Sequence, residues 1–433
     1  MELVASRFKK YIENAFWLIF EKGFSLFVGL VVAISVARYL KPESYGLLNY
    51  ALSFVSIFSA FSTLGVDQII VRELAKEPAK KDQLLGTGFI VKVAGTLLMI
   101  VLMGVIMIFM GHNAFTNTLI MIIAVAEIFK GFEVINYYFQ SQVMSKFVVK
   151  VQLATNFLIS LTKIGLVVVH APLIWFGIIV VIGSILNGAG FVYAYKARGE
   201  GTVRSWNFKK SIALELLSES WPLALYGIAL NIQARIDQVM LGNMMNNYEV
   251  GQYSVALKFI EIFGFVPIIL MNTFMPAVTK AKVVGNDLYH SRLTNLYRLM
   301  FLAFLVVGVP IYLFSKDVIV MLYGREFEAA GYLLSLFSLR LFFSNMGVGK
   351  SVFIVNESLF KYSLLTVIVG AIANISLNYF LIPLYGPRGA IIASMLSFIV
   401  SIFMIDMFFV RTRLNQKLMI NGIFSFWKLN NVV

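Results

Sequence analysis

The chain has 433 residues, 59% hydrophobic and 13% charged, with a formal net charge of +14 and a mean hydropathy of +0.84. Soluble domains are near 45–50% apolar and about 25% charged, so this composition excludes a soluble fold and points to a polytopic helical membrane protein. The absence of cysteine excludes disulfides, thiolate metal sites and cysteine nucleophiles, and three dispersed histidines (His112, His170, His290) lack metal-ligand spacing.

Apolar runs of about 20 residues, each able to cross a hydrocarbon layer of about 30 Å, recur along the chain. The first runs from about Asn14 to Arg38. It is longer than a signal-peptide core and lacks a small-residue cleavage site, so it reads as a retained helix. Hydropathy and breakers predict five more helices in the first half, near 45–67, 84–110, 115–139, 147–169 and 173–195. A basic stretch, Lys196 to Lys210, follows. Six further helices are predicted near 213–241, 250–275, 293–315, 331–355, 361–383 and 388–410. Turn chemistry separates several of them, at Lys41-Pro42, His170-Ala171-Pro172 and Tyr385-Gly386-Pro387. The expected fold is therefore all-α, with twelve transmembrane helices. Its parts are an N-terminal lobe (1–195), a connecting loop (196–212), a C-terminal lobe (213–410) and a tail (411–433).

Orientation follows from lysine and arginine in the loops. With the N-terminus inside, cytoplasmic segments hold about 22 of the 36 basic residues and the opposite loops about 5. Both termini are therefore expected in the cytoplasm, and most of the positive charge needs no nucleic-acid partner. The two halves also share a short repeat. Residues 45–54 and 250–259 align at a constant offset of 205, with Gly46/Gly251, Ala51/Ala256, Leu52/Leu257 and Phe54/Phe259 in common. Six helices per half make these parallel repeats.

Nine basic residues lie within predicted helices: Lys22, Lys92, Lys130, Lys150, Lys163, Arg235, Lys258, Arg340 and Lys350. Each costs about 2.5–3.5 kcal/mol on insertion scales and needs a reason to be there. Lys150 and Lys350 sit close enough to helix ends for their stems to snorkel, and Asp406 reads as interfacial. Lys22, Lys92, Lys130, Lys163, Lys258 and Arg340 sit deeper. Glu127, Lys130 and Glu133 share a face of the fourth helix; Ser254, Lys258 and Glu261 share one of the eighth; Asn231, Arg235 and Gln238 share one of the seventh. Glu127 with Lys130 could be an internal ion pair. Six deep cations face four deep acids (Glu127, Glu133, Asp237, Glu261), a surplus that suits an anionic ligand such as a phosphate. No Gly-x-Ser-x-Gly, His-Glu-x-x-His or P-loop motif is present, so no enzyme is expected, and any transport is passive or driven by an ion gradient.

A set of motifs runs in order along nearly the whole chain. They are Val36-Ala37-Arg38-Tyr39-Leu40-Lys41-Pro42-Glu43-Ser44-Tyr45-Gly46, Gly65-Val66-Asp67, Arg72-Glu73-Leu74-Ala75 and Ile236-Asp237-Gln238-Val239-Met240-Leu241-Gly242. Val250-Gly251-Gln252-Tyr253-Ser254-Val255-Ala256, Pro276, Leu322-Tyr323-Gly324-Arg325-Glu326-Phe327 and the run from Tyr385 to Ala393 complete the set. The ordered set resembles bacterial polysaccharide flippases of the Wzx type, in the MATE-like MOP superfamily, and the resemblance implies two six-helix lobes around a central cleft, in the bacterial cytoplasmic (inner) membrane. The implied function is alternating-access translocation of an undecaprenyl-pyrophosphate-linked oligosaccharide, such as an O-antigen repeat unit.

By position in their helices, Lys22 and Lys258 are similar to the cleft-lining basic residues of MurJ-type lipid II flippases. The expected pyrophosphate-binding set is Lys22, Lys258, Lys92, Lys130, Lys163 and Arg340. Asp237, with Asn374 and Asn378, resembles an ion site, and Asp237, Glu127 or Glu261 would couple the cycle to a proton or sodium gradient. No other cofactor is expected. Expected partners are the lipid-linked substrate, membrane lipids and other polysaccharide assembly proteins around a monomer. The rival readings are a MurJ-like lipid II flippase, a MATE-type cation exporter and a membrane polysaccharide polymerase.

Overall fold

The computed structural model describes residues 2–198 and 200–428, which form helices and short turns with no strand among them. The first half contains α1 (Glu2–Thr63), α2 (Asp67–Lys76), α3 (Lys81–Met110), α4 (Ala114–Phe129), α5 (Val134–Ser141), α6 (Lys146–Val168) and α7 (Leu173–Ala197). The second contains α8 (Lys210–Met244), α9 (Asn247–Glu261), α10 (Phe265–Val284), α11 (Asn286–Tyr323) and α12 (Glu328–Asn356), then α13 (Phe360–Tyr385), α14 (Pro387–Phe398), α15 (Ile405–Phe408) and α16 (Val410–Phe424). Among the described residues, nine helical stretches are long and apolar enough to span a bilayer, from Glu21–Lys76 to Pro387–Phe408. The protein is a multi-pass membrane protein.

Local chemistry explains where the helices stop and bend. Lys41 adopts φ 62°, ψ 167° directly before Pro42, which disfavours the helical region for its predecessor, and the backbone of α1 breaks there. Gly111 ends α3 in the left-handed conformation. The side chain of Asn113 then caps α4 by accepting from the Thr116 amide at 2.8 Å, and Asn246 caps α9 by accepting from the Glu249 amide at 3.0 Å. Three predicted helices are interrupted rather than continuous. A 3₁₀ turn, Lys130–Glu133, separates α4 from α5; another, Ile262–Gly264, separates α9 from α10; and a π-helical segment, Ile399–Met404, separates α14 from α15. The first falls on a charged stripe read from the sequence and the second begins directly after Glu261 of another; short 3₁₀ stretches within helices often mark hinges.

The chain divides into two units. One comprises residues up to Leu40 together with Leu47–Asn231; the other comprises Lys41–Gly46 together with the residues from Ile232 on. In the first unit Ile70, Leu74, Leu85, Val134, Phe139 and Tyr195 form the centre of a core joining α2, α3, α5 and α7. In the second, Leu293, Tyr297, Met300, Met346, Val352 and Met419 join α11, α12 and α16. Much of the remaining apolar surface faces outward, as it must in lipid: Phe109 is 84% exposed, and only 6% of the span window in Lys146–Val168 is buried.

Within the second unit the two repeat glycines touch. A Cβ on Gly46 would lie 1.7 Å from the Asn247 carbonyl oxygen, and one on Gly251 would lie 2.1 Å from that of Pro42. Pro42 and Asn247 are themselves 205 apart, so the contact is reciprocal across the repeat. Close backbone approach through small residues is how helices associate where no hydrophobic force separates lipid from leucine.

Candidate functional site

The first unit holds two neutralised clusters. Lys92 on α3 is buried, with its Nζ 3.2 Å from Asp67 Oδ1 and 3.1 Å from Glu133 Oε2, and it donates to the Tyr137 hydroxyl at 2.7 Å. Asp67 opens α2 and Glu133 closes the 3₁₀ turn, so this lysine ties three elements together. One turn away in sequence, Lys130 pairs with Glu127 at 2.5 Å, and the Ser62 hydroxyl donates to the same carboxylate at 3.4 Å. Lys22 is exposed on α1. Its neighbour Glu21 accepts from Ser25, which in turn accepts from the Asn156 amide. Lys163 is half-buried on α6. Lys150 sits 5.6 Å from the centre of the Trp17 ring.

The second unit holds a buried carboxylate in a polar pocket of side chains. Asp237 on α8 accepts from the Tyr253 hydroxyl at 2.6 Å, the Asn378 amide at 2.7 Å and the Ser394 hydroxyl at 2.5 Å. Asp237 is 3% exposed, and Asn374 and Asn378 are fully buried. The Asn378 side-chain oxygen has no hydrogen-bond partner among the described residues. Sequence reasoning had Asp237, Asn374 and Asn378 but not Tyr253 or Ser394. Tyr253 sits inside a quoted motif, whereas Ser394 lies 157 residues from Asp237 and carried no signal.

Near it, Arg235 pairs with Glu261 at 3.0 Å, while Ser254 accepts from the Gln238 amide at 2.6 Å. Lys258, between these groups on α9, is exposed. The Arg340 guanidinium on α12 lies over the rings of Phe337 and Phe398, 5.6 and 5.3 Å from their centres. It lines a cavity of about 180 Å³ with Glu261, Gly264, Phe337, Leu341 and Ser344.

A second buried carboxylate departs from the sequence reading. Lys350 and Asp406, expected to snorkel and to lie at the interface, are 3% and 0% exposed and pair at 2.5 Å. Lys350 Nζ also donates to the carbonyls of Ser401 and Ile402, at 3.2 and 3.0 Å. Those carbonyls belong to the π-helical segment, whose widened turn frees backbone acceptors that the ammonium then satisfies. The Tyr362 hydroxyl donates to the same Asp406 oxygen, and the Asn415 amide donates to the other at 3.2 Å. The partners come from α12, α13 and α16, which is why spacing alone missed them.

The cations within the helices thus divide. Lys92, Lys130, Arg235 and Lys350 have carboxylate partners. Lys22, Lys258 and Arg340 form no ion pair among the described residues. Those residues also contain no cluster of three or more His, Asp or Glu able to hold a metal ion.

Known proteins give this arrangement a context. The chain superimposes on the lipid II flippase MurJ in an inward closed conformation with a TM-score of 0.75 at 15% identity, covering 96% of this chain and 92% of that one. An inward-facing multidrug resistance MATE family transporter of the MOP superfamily gives 0.67 at 16% identity, covering 93% and 96%. A Vibrio cholerae MATE transporter gives 0.56 at 11% identity, covering 100% and 99%. At such identities the likeness establishes a shared fold. No curated protein matches by sequence. The model of the family described as polysaccharide biosynthesis protein matches residues 11–282, well over half of the chain. The chain is therefore a member of the polysaccharide biosynthesis protein family, with the fold shared by MurJ and the MATE transporters.

Proposed function

We propose that this protein is a flippase that moves an undecaprenyl-pyrophosphate-linked oligosaccharide, an O-antigen-like repeat unit, from the inner to the outer leaflet of the bacterial cytoplasmic membrane. It works by alternating access, with twelve crossings and both termini in the cytoplasm. The observation that carries this reading is the division of the deep cations. Had positive charge inside the spans served only helix packing, each cation would have a carboxylate, as Lys92 and Lys130 do. Lys22, Lys258 and Arg340 instead keep their charge available, and a pyrophosphate is the anionic part of the substrate that must cross. Lys92 and Lys130, already neutralised, tie helices of the first unit together.

Asp237 is the coupling group in this reading, and Glu127 and Glu261 are secondary titratable positions. Its carboxylate, the orphaned oxygen of Asn378 and the neighbouring Asn374 and Ser394 offer a set of hard oxygen ligands suited to a sodium ion, or to a proton on Asp237.

The test is surface polysaccharide at matched protein level in a flippase-deficient strain. Lys22→Ala, Lys258→Ala and Arg340→Ala are expected to lower it about tenfold or more each, because removing one charge-assisted contact costs about 1.5–3 kcal/mol. Wild-type polymer in all three variants overturns the phosphate assignment. Rescue of a lipid II flippase defect, without rescue of polysaccharide export, would replace the substrate.

A further inference from the structure

The helix that ends the described chain has two unlike sides. On the inner side Thr412, Asn415, Met419 and Gly422 are buried against the second unit. Asn415 donates to Asp406, and the Tyr297 hydroxyl donates to Asn415 Oδ1 at 2.5 Å. Gly422 permits the close approach, since a Cβ there would lie 2.7 Å from that of Tyr297. Arg298 then donates to the Ser425 hydroxyl from two nitrogens, at 3.0 and 2.9 Å. The helix is a fixed element rather than a trailing tail.

Its outer side mixes two chemistries. Val410, Phe424 and Trp427 are 78%, 75% and 65% exposed, and Leu414 and Ile420 are exposed as well. Interleaved with them are Arg411, Arg413, Lys417 and Lys428, all exposed, and no carboxylate occurs from Met407 to Lys428. Water disfavours the bare rings and hydrocarbon disfavours the four cations, so neither phase suits this face. The headgroup layer of an anionic bilayer suits both, with apolar groups entering the acyl boundary and cations meeting phosphates. The position agrees. The last apolar span ends at Phe408, and Phe409, extended at φ −109°, ψ 121°, turns the chain into α16 at that boundary.

We propose that α16 and the turn that follows it lie along the membrane interface and bind anionic phospholipid headgroups through Arg411, Arg413, Lys417 and Lys428, held in register by the buried Asp406–Asn415 contact. The chain has no cysteine, which makes the test direct. Single-cysteine variants Leu414→Cys and Phe424→Cys of the full chain, spin-labelled in phosphatidylcholine vesicles containing phosphatidylglycerol, should be more accessible to oxygen than to a water-soluble nickel complex. The quadruple variant Arg411→Gln, Arg413→Gln, Lys417→Gln, Lys428→Gln should retain phosphatidylglycerol at least tenfold less well, because all four cationic contacts to the anionic surface are removed together. All four side chains are exposed, Arg413 also donating to the Met407 carbonyl at 2.9 Å, and an unchanged melting temperature would show that the fold persists. Labels fully open to the nickel complex, dipolar broadening from a second copy, or undiminished lipid retention in the quadruple variant would each overturn the proposal. None of these measurements depends on transport, so failure here leaves the flippase reading standing.

Discussion

A lysine buried in the spanning region survives through what surrounds its ammonium group, and Lys350 shows how completely that can be arranged. One carboxylate, two carbonyls and a tyrosine hydroxyl lie within hydrogen-bond reach of its Nζ. Removing one member of a buried pair leaves the other charge uncompensated, at a cost of about 3–5 kcal/mol, whereas replacing both by apolar groups is often nearly neutral. Lys350→Met or Asp406→Leu alone should therefore cause a large loss of thermal stability in detergent. The double variant should recover most of it, and a double variant as unstable as the sum of its parents would contradict the pairing. Asp237 is the contrasting case: it accepts from three neutral donors rather than a cation. Asp237→Asn keeps the shape and removes the charge, so it should fold normally while polysaccharide export stops depending on the sodium or proton gradient. Export with unaltered ion dependence would remove Asp237 from the coupling role. Of these two residues, Asp237 was visible through a motif. The Lys350 pair was not, because 56 residues separate its members.

At the level of elements, the internal repeat was legible as four identities in ten residues, but its packing consequence was not. The reciprocal contact of Gly46 with Asn247 and of Gly251 with Pro42 involves backbone atoms, which cannot swing aside as a flexible side chain can. Gly46→Ala or Gly251→Ala should therefore sharply reduce the yield of folded protein. Gly104→Ala, with nothing within 4 Å of its Cβ position, should be neutral or slightly stabilising. Equal yields for all three would show that the contact is not needed for folding. The same segment carries Lys41, held at positive φ and paired with Glu326 at 2.6 Å. Interruptions such as Lys130–Glu133 were invisible to hydropathy, since a 3₁₀ turn and an α-turn bury the same apolar residues. The Glu127–Lys130 pair beside it was legible because it is local, three residues apart on one helix.

For the whole molecule, charge asymmetry makes a topological statement that can be checked chemically. In the cysteine-free background, Arg204→Cys in the central basic loop should react with an impermeant maleimide only after the cells are opened. Glu326→Cys should react in intact cells. The reverse pattern would invert the orientation and with it the direction of transport.

Composition and run length by themselves determined the class of protein: a helical, multi-pass membrane chain with too little charge for a soluble fold. They could do so because the bilayer imposes one rule on every residue of a span, whatever its neighbours. Motif order carried the family. Beyond the local Glu127–Lys130 pair, which of the charges within the helices are neutralised, and which form no ion pair among the described residues, was decided only by tertiary structure. Several ion pairs in this fold join residues tens of positions apart, as Lys92 does with Asp67 and Glu133, and no helical period records which helices are neighbours.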